Sequence, residues 1–376
     1  MESYLNAEIS ASAISSNVAL LRRRLPPATK LCAVVKADCY GHGLSTLLGL
    51  MEQLADCLGV ATPQEAILLR RMGYERPILM FFSACAYADG QELRDALDEL
   101  VAQHVALTVV APAEVGAVAE AAARVGADAT VHVKVDTGMN RSGVPGEAAP
   151  ALAAQLRQTP RVKLAGLYTH FATADEADKG FARRQFKRFM DTVEACGGRK
   201  GLTIHAANSA ATIDLDETHL DMVRPGIALY GYQPSDEMKN RLDLKPALRL
   251  TGRLMQVKDV PAGAGCGYGL TYTFDRPSRL GLVPVGYADG YLRCLSNRAM
   301  MGIRGRCVPI RGRVSMDQIT IDLTGVEGVQ VGDEVEIISG DPSAPNSVEN
   351  LARLAGTIPY EVVCRLGRRV RRVLVD

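Results

Sequence analysis

Eight short apolar, β-branched runs, separated by segments of helical periodicity, constrain this chain more than any other feature. They begin at Leu31 (LCAVVKA), Cys57 (CLGVAT), Pro77 (PILMFF), Val105 (VALTVV), Val131 (VHVKVDT), Lys163 (KLAGLYTHF), Leu202 (LTIHAANS) and Met222 (MVRPGIALYG). Intervening segments such as LSTLLGLMEQLAD, TPQEAILLRRMG and PAEVGAVAEAAARVG repeat apolar residues at helical spacing, and several open on Thr or Pro and close at Gly. Strands alternating with helices require parallel neighbours and right-handed crossovers, and eight of them are most economically closed into a (β/α)8 barrel. An open doubly wound sheet is the competitor, but no Gly-rich GxGxxG turn follows the first strand.

From about residue 241 the texture changes to strand-like runs broken by Gly, Pro and Asp: LRLTGRLMQVKDV, SRLGLVPVGYADG, MGIRGRCVPI, DQITIDLTG, GDEVEIISG and VVCRLGRRVRRVLV, with SVENLARLAG alone reading as a helix. The expected fold class is therefore α/β, an N-terminal TIM-like barrel over 1–240 and a mostly β domain over 241–376. The first ~10 residues are candidates to pair with that second domain. A length of 376 residues suits two cores. Lys plus Arg (43) balances Asp plus Glu (42), which argues against a nucleic-acid or anionic-membrane partner, and RRVRR reads as charge on a half-exposed strand. No apolar run reaches membrane-spanning length, and MESYLNAEIS lacks the features of a secretory leader. Nine scattered cysteines without a CxxC pair read as reduced core thiols in a cytoplasmic protein with no structural metal.

In such barrels chemistry gathers where strands end. Those positions hold Lys36 after the first strand, Lys134 and Asp136 after the fifth, His170 after the sixth, Asn208 and Ser209 after the seventh, and Arg224 at the eighth. A Lys among apolar strand residues has a lowered pKa and is suited to condense with an aldehyde. NSAA and RPGI offer small residues, backbone N–H groups and a hydroxyl where barrels commonly seat phosphate. An aldehyde that also bears a phosphate is pyridoxal phosphate. Taken singly, each of these residues also has an ordinary role as a turn, cap or ion pair.

AVVKADCYGHG (Ala33 to Gly43) closely resembles the cofactor-lysine motif of the alanine racemases, and the resemblance continues through KVDTGMNRSG, THFATADE, HAANSAA, RPGIALYG, GYGLTYT, VGYADGY, GRVSMDQ and IPYEV. The nine blocks stand in family order from residue 33 to 363. The resemblance implies a pyridoxal-phosphate enzyme, a homodimer with active sites shared between subunits, that interconverts L- and D-alanine and supplies D-alanine for peptidoglycan precursors. Lys36 would hold the cofactor and act as one base; Tyr268, from the partner subunit, would be the other. Arg224 would face the pyridine nitrogen, with His170 between Arg224 and Tyr268. Tyr40, Ser209, Gly226, Ile227 and Tyr360 would hold the phosphate. Arg141 and the backbone N–H of Met316 would meet the substrate carboxylate, and Lys134 matches a lysine often carbamylated to orient Arg141. Asp175, Tyr287, Arg313 and Asp317 match entrance or supporting positions.

Two bases on opposite faces of a planar carbanion exchange a proton without turning the substrate. Lowering a tyrosine from 10 toward 7 requires about 4 kcal/mol of preferential stabilisation of the anion, at 1.36 per unit. Three residues depart from the family pattern: Asp38 and Cys39 stand where Asn and Ala are common, and Gly267 where Ser is usual. Asp38 either raises the pKa of Lys36 or points away from it. The alternative functions are a serine or broad-specificity racemase, a related amino-acid decarboxylase, and a non-catalytic carrier of pyridoxal phosphate.

Overall fold

The computed structural model describes residues 4–86 and 89–376, so the first three residues of the N-terminal stretch lie outside it. Each of the eight runs contains a strand: Lys30–Val34, Cys57–Val60, Ile78–Met80, Leu107–Val109, Ala129–Asp136, Val162–Tyr168, Thr203–His205 and Met222–Val223. They fall into two parallel sheets, and two seams join these. At the first seam a parallel bridge links Leu79 to Ala106, with Met80 N–H donating to Ala106 O at 3.0 Å. At the second, Asp221 N–H donates to Ile204 O at 3.1 Å and Arg224 N–H to Ala207 O at 2.9 Å. The cylinder is closed, which satisfies every sheet edge and sends all eight strand ends to one mouth.

Local chemistry sets the crossover helices. Pro63–Arg71 starts at a complete capping box, with Thr62 accepting from Glu65 N–H and the Glu65 carboxylate returning to Thr62 N–H. Strand 129–136 meets strand 162–168 with a register shift after Val131, where Gly166 makes room for the imidazole of His132. A Cβ on Gly166 would lie 2.4 Å from His132 Nδ1.

A nine-stranded sheet forms the core of the β domain, in the order Gln256–Val260, Ser278–Val283, Ile319–Asp322, Arg306–Arg311, Met300–Ile303, Glu334–Ile338, Leu248–Arg253, Leu5–Ser10 and Arg371–Val375. Leu5–Ser10 pairs antiparallel with 248–253 and parallel with 371–375, so the chain begins in this sheet before it enters the barrel. Asn17, fully buried on the helix Ala11–Arg22, ties the two parts. Its amide donates to Lys245 O (2.9 Å) and Leu229 O (3.2 Å) and accepts from Lys245 N–H (2.8 Å).

Two segments read as strands differ. VVCRLGRRVRRVLV divides into the helix Pro359–Cys364 and the strand Arg371–Val375, because Pro359 at the helix start and the glycine at 367 interrupt the alternation. YAD of VGYADG forms a single 3₁₀ turn, Tyr287–Asp289, closed by Asp289 accepting from Gly286 N–H at 2.9 Å. The basic run is also more than surface charge, since the Arg372 guanidinium donates to Gly41 O, Leu366 O, Gly367 O and Val370 O.

Asn17→Ala leaves three backbone groups, Leu229 O, Lys245 O and Lys245 N–H, without this partner. The expected loss is about 3 kcal/mol of unfolding free energy, read as a lower urea midpoint at unchanged slope. An unchanged midpoint contradicts the role of Asn17 as the tie between the barrel and the β domain.

Candidate active site

Lys36 leaves the first strand into an unusual turn. Ala37, Asp38, Cys39 and Tyr40 all have φ between +53° and +56°, a single left-handed turn of non-glycine residues. Such a conformation costs roughly 1–2 kcal/mol per residue, so it must be held from outside. Glu65 Oε1 accepts from Ala37 N–H (2.7 Å), Asp38 accepts from Leu44 N–H (2.6 Å), and His42 Nδ1 lies 3.0 Å from both Cys39 O and Tyr40 O. Gly41 closes the turn at φ +81°, where a Cβ would lie 2.0 Å from Val363 O of the β domain. The carboxylate acting on Lys36 is Glu65, while Asp38 turns to cap the following helix; of the two outcomes weighed for Asp38, it points away.

The turn places Lys36 and Tyr40 on the wall of a cavity of about 380 Å³ at the barrel mouth. Lys134, Arg141, His170, Ser209, Arg224, Gly226, Ile227 and Tyr360 line the same space, with Asn208 beside them. Four cationic side chains thus converge: Lys36, Lys134, Arg141 and Arg224. Burial, then the nearby Arg141, holds the Lys36 ammonium below its ordinary range. The same two causes push Lys134 down to about 8, with Asp136 opposing them. Arg224, 4% exposed, is lowered by burial to about 10 and stays a cation at neutral pH.

The hydrogen bonds of Arg224 can be counted. Nη1 donates to His205 Nδ1 (2.8 Å), and Nη2 donates to Thr169 O (2.8 Å) and Ala206 O (3.1 Å). A guanidinium has five N–H groups, so one on Nη1 and the one on Nε remain for the cavity. Because Arg224 only donates, His205 Nδ1 must accept, and its Nε2–H then points at His132 Nδ1, 3.0 Å away. The tautomers of both histidines follow. Burial pushes His132 down to about 4 and His170 and His205 well below the ordinary range, with Arg224 the next cause in each. The imidazole bonded to Arg224 is thus His205; His170 lines the cavity nearby.

At the other end, Ser209 Oγ accepts from Gly226 N–H (2.8 Å) and Ala228 N–H (3.4 Å), which leaves its own proton to donate outward. Asn208 caps the helix Ser209–Asp214 through Ala211 N–H (3.0 Å). The Tyr40 and Tyr360 rings lie 6.2 Å apart, and burial raises both phenols far above their usual range, so they are neutral donors.

Tyr268, Met316, Tyr287 and Arg313 lie outside this cavity lining. Tyr268 is 72% exposed on the β domain, and Tyr287 and Met316 are exposed with it. Arg313 sits beside them, since a Cβ on Gly269 would come 3.0 Å from its Nη1. Met316 O accepts from Ala288 N–H (3.0 Å), which ties that loop to the Tyr287 turn. Asp317 bonds Arg369 (2.6 Å), and Asp175 lines a separate cleft with Ile358 and Pro359.

Residues 9–234 match the family description "Alanine racemase, N-terminal domain" and residues 247–374 match "Alanine racemase, C-terminal domain". The chain belongs to the alanine racemase family. It is 43% identical over 374 residues to the alanine racemase of Desulfovibrio desulfuricans, covering 98% of each chain. To that of Desulfosudis oleivorans it is 44% identical over 380 residues, covering 98% of this chain and 95% of the other. Among solved structures, the alanine racemase from D-cycloserine-producing Streptomyces lavendulae superposes with a TM-score of 0.90 at 35% identity, over 100% of this chain and 98% of that one. The Clostridium difficile 630 alanine racemase in complex with cycloserine gives 0.88 at 34% identity over the same shares. The family depends on pyridoxal phosphate.

Sequence reading missed His205, His132, Glu65, Tyr168 and Cys364. One signal was available: His132, Lys134 and Asp136 alternate along one strand face, and polar residues at every second position of a buried strand mark an inward polar stripe. Glu65 carried no such mark, because its capping role hides its second bond to Ala37.

The buried histidines set a stability profile. Their folded pKa values lie below the unfolded 6.5, so their neutral forms cost nothing above about pH 6.5. Stability is lost as pH falls from there toward 4, at up to about 1.4 kcal/mol per pH unit for each histidine. Urea midpoints at pH 7, 6 and 5 should decline steadily. A flat profile across that window would show that the imidazoles are not held neutral.

Proposed function

We propose that this chain is a cytoplasmic, pyridoxal-phosphate-dependent racemase that interconverts L- and D-alanine, works as a homodimer with shared active sites, and supplies D-alanine for peptidoglycan precursors. One observation carries the reading. Four cations and four hydroxyls surround a single cavity, while the phenol expected as second base stands exposed outside its lining.

The residues fit the cofactor. Gly226 lets the Tyr40 hydroxyl pack onto the backbone, where a Cβ would lie 2.3 Å from it, so this end is a cradle of donors that a larger residue would fill. Ser209, Tyr40, Tyr360 and the backbone of Gly226 and Ile227 would hold the phosphate. One free N–H of Arg224 would face the ring nitrogen, and the Lys36 amine would hold the aldehyde carbon. Bound there, the cofactor withdraws electrons from the amino acid and acidifies its α-carbon.

Arg141 and the Met316 N–H would orient the substrate carboxylate. Lys36, its ammonium destabilised by burial and by Arg141, takes or returns the proton on one face. Tyr268 of the partner subunit does so on the other, with His170 on the cavity wall beside it. The amine of Lys134, pushed down to about 8, is free in part at neutral pH. It can therefore add to carbon dioxide, releasing one proton and leaving an anionic carbamate beside Arg141. Asp175, Tyr287, Arg313 and Asp317 would line or support the entrance. Arg224, a donor that does not yield its proton, disfavours the decarboxylase alternative.

The experiment is a panel of L- and D-amino acids assayed by chiral chromatography with added cofactor. Alanine should racemise fastest. Lys36→Ala should abolish the visible absorbance of bound cofactor. Tyr268→Phe should keep that absorbance and lower proton removal from L-alanine by about 10²–10⁴-fold, the usual contribution of a positioned base. Full activity in both variants overturns the two-base reading; carbon dioxide release from lysine or ornithine favours the decarboxylase.

A further inference from the structure

Asp289 is a carboxylate buried to 1% exposure at the centre of the 286–290 turn. Arg369 grips it with two bonds, Nε to Oδ1 at 2.5 Å and Nη2 to Oδ2 at 3.1 Å, and reaches Asp317 Oδ1 at 2.6 Å with the same Nη2. One guanidinium therefore joins two loops, the turn that presents Tyr287 and the loop that presents Met316. Backbone bonds between the loops, Tyr287 N–H to Ser315 O (3.1 Å) and Ala288 N–H to Met316 O (3.0 Å), fix their relative position. Val314 N–H holds the second loop to Ser296 Oγ (2.9 Å), and the segment from residue 365 to 369 anchors the tip of the first. Gly367 N–H donates to Asp289 O (2.9 Å), and a Cβ on Gly290 would lie 2.2 Å from Arg365 O.

That segment continues directly from the helix Pro359–Cys364, which places Tyr360 and Cys364 on the wall of the chain's own cavity. One short stretch thus lines one cavity and braces loops that lie outside its lining. Under the shared-site reading, on which this inference rests, those loops enter the partner's cavity. We propose that Arg369 is a positioning residue for the partner's active site: by clamping Asp289 and Asp317 it sets where Tyr287 and Met316 meet the substrate bound by the other subunit. A displacement of about 1 Å in such a contact costs on the order of 10²-fold in rate.

Arg369→Met, as a homodimer with normal cofactor absorbance, should lose about 10²-fold in kcat/KM, and Arg369→Lys, which keeps the charge but not the two-pronged grip, should recover part of it. Mixed dimers isolated by two affinity tags decide which site is served. In one, the Lys36→Ala chain pairs with the Arg369→Met chain, so the live cavity receives intact loops and should run near the wild-type rate per site. In the other, a chain carrying both substitutions pairs with wild type, so the live cavity receives the unclamped loops and should show the full loss. Equal rates in the two dimers overturn the proposal, because a general structural defect would not distinguish them. If Arg369→Met does not fold, the same pair of dimers is made with Asp317→Asn, whose side chain is exposed, and the same inequality is required. A control mixing Lys36→Ala with Tyr268→Phe should regain activity; failure there removes the shared-site reading itself and not only the role of Arg369.

Discussion

Positive charge gathered at the barrel mouth is the constraint around which this molecule is built. At an effective dielectric of 20, two unit charges about 8 Å apart repel by about 2 kcal/mol, and four such groups cannot all be charged in a half-buried cavity without opposition. The protein answers in part by lowering Lys36 and Lys134 toward their neutral forms and in part by supplying Glu65 and Asp136 from outside the cavity. Among the described residues, no carboxylate lines the cavity itself. The remaining imbalance favours an anionic occupant, and under the proposed reading a phosphate and an amino-acid carboxylate would supply that charge. Neutral histidines serve the same end. His132, His170 and His205 fill polar positions beside Arg224 without adding charge.

The fold meets this constraint by fixing backbone where side chains alone would be too mobile. Four residues held at positive φ set Lys36 and Tyr40 on one wall, and the opposing surface of that turn is the helix Pro359–Cys364 from the β domain. The barrel mouth is therefore completed by the second domain, which contributes Tyr360 and Cys364 to the lining. This explains why the chain begins in the β sheet: Leu5–Ser10 lies between 248–253 and 371–375 and couples the sheet to the first barrel helix, where Asn17 holds Lys245. A hinge between barrel and sheet would detach Tyr360 from Tyr40, and the structure ties that junction from both chain directions.

Much of this was legible in the sequence, and what was not has physical reasons. The eight strands carry their own signal, because a parallel strand buried on both faces is an unbroken apolar run. The strand-end residues Lys36, Lys134, His170, Ser209 and Arg224 follow from that frame and all reach the cavity. The left-handed turn left no trace, since Ala, Asp, Cys and Tyr do not favour positive φ and only tertiary bonds impose it. The 359–364 helix was hidden within a run of valines, arginines and a leucine that suits a strand equally well. Arg369 looked like idle surface charge because its carboxylate partners Asp289 and Asp317 lie 80 and 52 residues away in the chain. Separation in sequence removes the local pattern on which such reading depends.

Arg224 ties the charge and the fold to the choice of reaction. Its bonds to His205, Thr169 and Ala206 use three of its five N–H groups and fix its plane, so it meets the cavity as a rigid donor with no lone pair. Burial lowers it only to about 10, too high for it to surrender a proton at neutral pH. A ring nitrogen set against it receives a hydrogen bond but not a full positive charge, and the weaker electron demand that results suits reversible removal of one α-proton better than loss of a carboxyl group. A carboxylic acid in the same place would allow the opposite. The histidine pair behind the guanidinium reinforces this, because fixed tautomers pointing away from the cavity provide no route by which a proton could be passed through Arg224 to the ligand. Under the proposed reading, selectivity for racemisation would be set by a donor that holds its proton, with the proton traffic left to Lys36 and to Tyr268 of the partner subunit on the two faces of the substrate.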